Sequence, residues 1–224
     1  MALTLYLVRH GRTVYNDEHR LQGWCDSRLT DDGAAGVAAT AQHLRPRSFA
    51  AAYASPSGRT VATADMILTH HPGTVLTTDD DLRELSFGDF EAAPEEVLHA
   101  HVDPWELFAR VFDGTHPGLP GGESAAAYLS RVRAGFTRIE EAHRGESEVL
   151  VVSHGVTLAA YLTLIGSPPT HPLPNASIST VEISEAGGHR VTSFGVDPSG
   201  QGVPELRALR ERAALRVEPT PTSA

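Results

Sequence analysis

The chain has 224 residues with 18 basic and 28 acidic side chains, a net charge of −10 that argues against broad attraction to nucleic acid or an anionic membrane. Its 41% hydrophobic and 21% charged content is that of an ordinary globular protein, and no stretch approaches the roughly 18 uninterrupted apolar residues of a membrane span. Every basic residue is arginine, which excludes Schiff-base lysines and a Walker-type phosphate lysine, so any anion must be held by arginine and histidine.

Residues 3–8, LTLYLV, are apolar and β-prone and predict a buried strand. No basic region or small-residue cleavage site precedes them, and the single cysteine, Cys25, cannot form an internal disulfide; both features favour the cytoplasm. After a polar loop, Thr30 is placed to cap a helix with Ala34, Val37, Ala38, Ala41 and Leu44 at helical spacing. A short strand at 50–54, a helix at 57–69 and a brief strand at 74–77 follow. Residues 93–112 are expected to form one helix with an aromatic-rich patch of Trp105, Leu107, Phe108 and Phe112, broken by DGTHPGLPGGES. A helix at 124–143 carries Leu129, Val132, Phe136 and Ile139 on one face. EVLVVS then reads as a buried strand ending at Ser153, followed by a helix with Leu158, Tyr161, Leu162 and Ile165. Residues 177–183 and 189–195 predict a hairpin around Gly187-Gly188, and the Pro/Thr/Ser-rich tail from 218 to 224 is expected to be disordered. Alternating strands and helices imply an α/β fold: a three-layer α/β/α sandwich on a mostly parallel sheet. A single domain is expected over 1–217, with a small helical cap inserted at about 90–122.

Two histidines end apolar strands, in RHG at 9–11 and SHG at 153–155. Ligands of open α/β sheets bind beyond the carboxyl ends of the strands, so both could face one pocket. Gly11 and Gly155 are expected to allow tight turns and close approach to a ligand, and free amides of a helix beginning at Gly155 would favour an anion. An isolated His-Gly pair more often marks a turn; two at strand ends, one beside Arg9, carry more information.

LVRHGRTVYN, followed in order by GWCDSRLTDDG, ASPSGRTVATA, LRELSFGDFE, PGGES and VVSHG, resembles the histidine phosphatase superfamily, which includes the phosphoglycerate mutase-like phosphatases. The resemblance covers about residues 3–183 and implies a phosphoglycerate mutase-like fold. It implies that His10 is the nucleophile that becomes phosphorylated, that Arg9, Arg59 and His154 hold the phosphoryl oxygens, and that Asn16 adds a phosphate contact. Glu84 matches the acid that protonates the leaving oxygen, and Thr13, Gln22 and Gly23 fall among loop residues near the site. The expected partner is a small phosphorylated substrate, without nucleic acid or membrane, and a homodimer is compatible with the resemblance.

Phosphate monoesters need a large barrier reduction, supplied mainly by positioning and charge stabilisation. Two guanidinium groups can each donate paired hydrogen bonds to phosphate, and a protonated His154 would add positive charge. His10 must instead be neutral, a state favoured by neighbouring arginines and fixed by a hydrogen bond from its other ring nitrogen to a carbonyl. Glu84 must begin protonated, which a bound phosphate dianion would favour; a surface carboxylate paired with Arg83 is the plainer reading. The scheme needs no cofactor and no metal. His70-His71 and the pair His99 and His101 lack a recognisable third ligand. Cys25 is followed six positions later by Asp31, where a cysteine phosphatase loop needs arginine, and Ser153 lies in no G-x-S-x-G elbow.

Cofactor-dependent mutases of the family carry an arginine directly after the acidic glutamate and a tyrosine soon after; here those places hold Leu85 and Phe87. The insert has only Arg110 where mutases use several cations. These departures favour the phosphatase branch, a metal-independent phosphomonoester hydrolase; mutase-type transfer and a non-catalytic phospho-ligand-binding relative are the alternatives. Ala92 stands where that branch usually has glycine. The aromatics of the cap, Phe90, Trp105, Phe108 and Phe112 with Leu107, are either core or the wall that selects the leaving group. In the second case Trp105→Ala would alter substrate ranking.

Overall fold

The computed structural model describes residues 2–145 and 148–202; the expected disordered tail and the end of the expected domain lie outside them. Strand β1 (Leu3–Arg9) alternates Leu3, Leu5 and Leu7 toward one face and Tyr6 and Val8 toward the other. A period of two buries side chains on both faces only if layers cover both sides of the sheet. The next helix, α1 (Val14–Asp17), was not expected. Its four residues are too short to show periodicity, and it is held by a capping box between Thr13 and Asn16. Helix α2 (Asp31–Leu44) starts where expected, with the Thr30 hydroxyl accepting from the Gly33 amide. Strand β2 (Ala51–Ala54), helix α3 (Gly58–Leu68) and strand β3 (Leu76–Thr78) follow.

The expected single helix at 93–112 is two, α4 (Glu95–His99) and α5 (Pro104–Phe112). Pro104 disfavours helical backbone at the residue before it and has no N–H to donate, so it can only begin a helix. Asp103 completes the break by accepting from the Trp105 and Glu106 amides. Helix α6 (Ala125–Ala142), strand β4 (Glu148–Ser153), helix α7 (Gly155–Leu164), and the hairpin β5 (Ile178–Ile183) and β6 (His189–Val196) complete the chain.

The six-stranded sheet runs β3-β2-β4-β1-β5-β6. Strands β3, β2, β4 and β1 are parallel, and β5 and β6 are antiparallel, as the hairpin connection requires. Helices α6 and α7 cover one face with Tyr128, Val132, Phe136, Ile139, Leu158 and Leu162 against Leu5, Leu7, Val149 and Val151. Helices α2 and α3 cover the other with Val37, Ala41, Leu44, Ala64 and Ile67 against Val8, Leu150 and Val152. Fully burying one such side chain contributes roughly 1.5–3 kcal/mol. This is the expected α/β/α sandwich.

Ala92 lies in the loop beneath the cap at φ +62°, the left-handed region where a Cβ is strained. Its amide donates to the Leu21 carbonyl and its own carbonyl accepts from Arg20, so the loop cannot relax without losing both bonds. The departure from glycine at this position therefore carries a conformational cost. Ala92→Gly is expected to stabilise the fold by about 0.5–1 kcal/mol, the relief of strain exceeding glycine's extra entropy. A urea midpoint that does not rise would contradict that origin of strain.

Candidate functional site

Strands β1 and β4 pair in parallel with Arg9 opposite Ser153, so the residues that follow, His10 and His154, emerge side by side. The His10 amide donates to the Ser153 carbonyl at 3.0 Å, and the two imidazoles meet edge to face at 5.3 Å between centroids. His10 Nδ1 lies 2.8 Å from the Gly11 carbonyl. A carbonyl can only accept, so Nδ1 carries the proton and Nε2 keeps its lone pair. Burial, with the Arg59 and Arg9 charges, holds the His10 pKa well below the usual histidine value against the opposing pull of the Gly11 bond. His10 is a neutral, oriented imidazole, as its expected role requires. Gly11 serves packing instead of ligand approach: a Cβ there would lie 2.5 Å from Val37 on α2. Gly155 likewise gives room to a side chain, its would-be Cβ lying 3.3 Å from Arg9 Nε.

Arg59 projects from the first turn of α3 and is 1% exposed. Its guanidinium donates to the carbonyls of Gln22, Gly23 and Cys25, to Asp26 at 2.9 Å, and to His154 Nδ1 at 3.0 Å. Nε, buried and without a partner among the described residues, is the donor of this group left over. The bond from Arg59 fixes His154 Nδ1 as an acceptor, so Nε2 carries the proton and donates to Ser55 Oγ at 2.8 Å. Burial first, then the positive field of Arg59 and its neighbours, pushes the His154 pKa well below the ordinary value. The expectation of a protonated His154 is thereby corrected. A fully buried imidazole beside two guanidinium groups stays neutral because a third positive charge there has no counter-ion.

Glu84 is buried, not a surface partner of Arg83, whose guanidinium pairs with Asp80. The carboxylate sits on the N-terminus of α7, accepting from the Val156 and Thr157 amides at 2.9 and 3.0 Å and from the Leu85 amide at 3.0 Å. The helix N-terminus expected to favour an anion thus holds a side chain of the protein itself. Tyr128 reaches Thr157 Oγ1 at 3.1 Å from α6; burial, with Glu84 beside it, keeps its pKa well above that of a free tyrosine, so the hydroxyl remains a donor. Arg131 pairs with Glu123 and donates to the carbonyls of Asp81, Arg83 and Glu84, clamping the loop that presents Glu84. These supports escape sequence reading because no local periodicity links Glu123, Tyr128 and Arg131 to residue 84.

Glu91 is another such residue. Its carboxylate accepts from the amides of Gly23, Trp24, Cys25 and Phe87, and these bonds, against the opposing effect of burial, lower its pKa. The Gly23 amide is therefore spent on Glu91 and its carbonyl on Arg59, so the backbone of Gly23 shapes the loop and does not face a ligand. A Cβ at Gly23 would lie 2.2 Å from the Leu85 carbonyl, which no side chain tolerates. Thr13 bridges Asn16 and Gln22, and the Asn16 Oδ1 also accepts from Asn175. That leaves the Asn16 amide nitrogen as its free donor.

A cavity of about 210 Å³ opens over His10, lined among others by Arg9, Asn16, Gln22, Glu84 and Val156. Arg59, His154, Gly23 and Gly155 are not among the residues that line it. The cap contributes Glu95, Leu98, His99, Pro104, Leu107 and Phe108. Phe90 and Phe112 pack on the core, and Trp105 is 81% exposed, so neither expected role of Trp105 holds. The helix break at Pro104 turns Trp105 outward and Phe108 inward. His99 and Arg20 line the cavity without having been expected, whereas Arg110 lies outside it. Among the described residues, no three His, Cys, Asp or Glu side chains are grouped to hold a metal ion, and no helix is long and apolar enough to cross a membrane.

The α/β/α sandwich thus carries, at a strand end, a neutral buried histidine beside arginines, with Glu84 in the wall of the same cavity. The model of the histidine phosphatase superfamily (branch 1) matches residues 5–195, and the chain belongs to that family. It is 36% identical to the probable phosphoglycerate mutase GpmB of Yersinia enterocolitica, over 93% of this chain and 99% of that one. The phosphoglycerate mutase of Bacillus anthracis superposes with a TM-score of 0.79 at 30% identity, over 88% of this chain and 95% of the other. A mycobacterial glucosyl-3-phosphoglycerate phosphatase does so at 0.75 and 25% identity, over 86% and 99%. A phosphohistidine intermediate is general for the family.

The folded states of His10 and His154 both have pKa values below that of a free histidine, so the unfolded chain binds more protons at acid pH. The stability they contribute is present above about pH 6.5 and is lost as pH falls, at up to about 1.4 kcal/mol per pH unit for each ring. Urea midpoints are expected to drop between pH 7 and pH 5, and less steeply in His154→Asn. Equal slopes in the two proteins would show that His154 is not held neutral.

Proposed function

We propose that the protein is a phosphomonoester hydrolase that works through a phosphohistidine on His10, with a small phosphorylated metabolite as substrate. The observation that carries this reading is the His10–Gly11 hydrogen bond, which leaves a neutral ring with its Nε2 lone pair for the cavity. In the first step that lone pair attacks phosphorus and the bond to the leaving oxygen breaks, with Glu84 giving its proton to the departing alkoxide. Arg9 and the Asn16 amide, which line the cavity, stabilise the charge on the phosphoryl oxygens, and the buried Arg59 adds its positive field. In the second step water attacks phosphorus, its proton passes to the Glu84 carboxylate, and the P–N bond breaks to restore neutral His10. His154 acts from beneath, orienting Arg59 and packing against His10; a bond from it to the phosphoryl group would require exchange of its bond to Ser55.

Similarity to probable phosphoglycerate mutases supports a second reading, transfer back to a bound acid in place of water. Against it, Leu85 and Phe87, where the family's cofactor-dependent mutases carry arginine and tyrosine, are apolar: Leu85 is buried in the core, and Phe87, although it lines the cavity, presents no polar group to a second anion.

Phosphate release from a panel of monoesters, with chelator present, tests the proposal, with isomerisation of 3-phosphoglycerate followed separately. Hydrolysis is expected to resist chelator and to fall by roughly 10³-fold or more in His10→Ala. Isomerisation without net release would move the protein to the mutase side. Because His10 stays neutral well below pH 6.5, the acid limb of kcat/KM is expected below that value. An acid limb at the ordinary histidine pKa would contradict the buried, arginine-flanked environment.

A further inference from the structure

The side of the cavity away from His10 is where a leaving group must lie, and its composition bears on what that group is. Leu98, Leu107, Phe108 and Pro104 give it an apolar wall. Two charged side chains stand beside that wall, Arg20 and Glu95. Arg20 is already compensated: its Nε is bound to Glu18 at 2.8 Å and another nitrogen donates to the Ala92 carbonyl. Glu95, in the first turn of α4, is half-buried, and among the described residues no hydrogen bond or ion pair engages its carboxylate. His99 stands one helical turn further on in the same wall. Among the described residues, Glu95 is thus the carboxylate on this side that no partner engages.

We infer that Glu95 is a specificity-determining residue that selects against leaving groups bearing a second negative charge. The substrates are then phosphate monoesters of uncharged or cationic alcohols with an apolar part. This rests on the hydrolase reading of the same cavity and narrows it. A carboxylate or second phosphate on the leaving group would have to enter a partly desolvated pocket facing Glu95, where like charges repel far more than in bulk water. An uncharged ring meets only the Phe108 and Leu107 surface, and a cation gains attraction. Glu95 works by the sign of its field and touches no reacting atom.

The test is a ratio, kcat/KM for 3-phosphoglycerate divided by kcat/KM for phenyl phosphate, in wild type and Glu95→Gln. The substitution keeps the shape of the side chain and removes its charge. The ratio is expected to rise about fivefold, the order of one unit charge acting across a partly screened pocket. Glu96→Gln, exposed on the same helix and outside the cavity lining, is expected to leave the ratio where it was. An unchanged or lower ratio in Glu95→Gln overturns the inference.

Wild type supplies an independent arm. Raising ionic strength screens the second charge of 3-phosphoglycerate, so the same ratio rises with salt if the pocket repels it and falls if the pocket attracts it. A falling ratio overturns the inference without any variant. O-Phosphoethanolamine extends the series to a cation, and its ratio to phenyl phosphate is expected to fall in Glu95→Gln. Failure of the hydrolase reading looks different: wild type then releases no phosphate from any of the three esters, or isomerises 3-phosphoglycerate without release.

Discussion

The parallel pairing of β1 with β4 is the constraint on which the site depends. These strands occupy the middle of the sheet, buried on both faces, and their register sets Arg9 opposite Ser153. The two histidines that follow are adjacent because the strands end at the same level. A slip of one residue would turn Leu5, Leu7 and Val8 to the wrong faces and carry His10 away from His154, so the core packing that stabilises the fold also sets the geometry of the histidine pair. Site and core are one register decision.

Around that pair the protein solves an electrostatic problem. Arg59 is fully buried, yet its charge is offset by Asp26 and by carbonyls of the 22–26 loop. The loop is in turn tied down by Glu91, whose carboxylate gathers four amides. A buried cation is tolerated when its donors are met, and here meeting them shapes the loop that walls the site. The same cation fixes the tautomer of His154 and, after burial, helps to lower the pKa of both histidines.

The cap follows a different logic. It is two short helices, and its inner face mixes aliphatic and aromatic side chains with the carboxylate of Glu95. Its residues are separate from those around His10, so the two ends of the cavity are built from different parts of the chain. The strained Ala92 and the bond from Arg20 to its carbonyl lie at the seam between these two parts.

Much was legible in the sequence. Strands and helices showed through their periods of two and of about 3.6, and the placement of His10, Arg9 and His154 at strand ends followed from where apolar runs stop. Thr30 and Pro104 act through local backbone chemistry, so a cap and a helix break were readable in principle, although the break at Pro104 was missed. Glycine's usual place at position 92 marked a backbone demand that the left-handed Ala92 then displayed. What tertiary structure alone decided are the encounters between distant residues: Arg59 with the 22–26 loop, Glu84 on the start of α7, Glu91 under Gly23, and Arg131 with Glu123 behind Glu84. It also decided the charge state of His154, the outward turn of Trp105 and the presence of Arg20, Glu95 and His99 in the cavity. Periodicity records which face of an element is buried; it does not record which polar partner waits there, and burial and field depend on that partner.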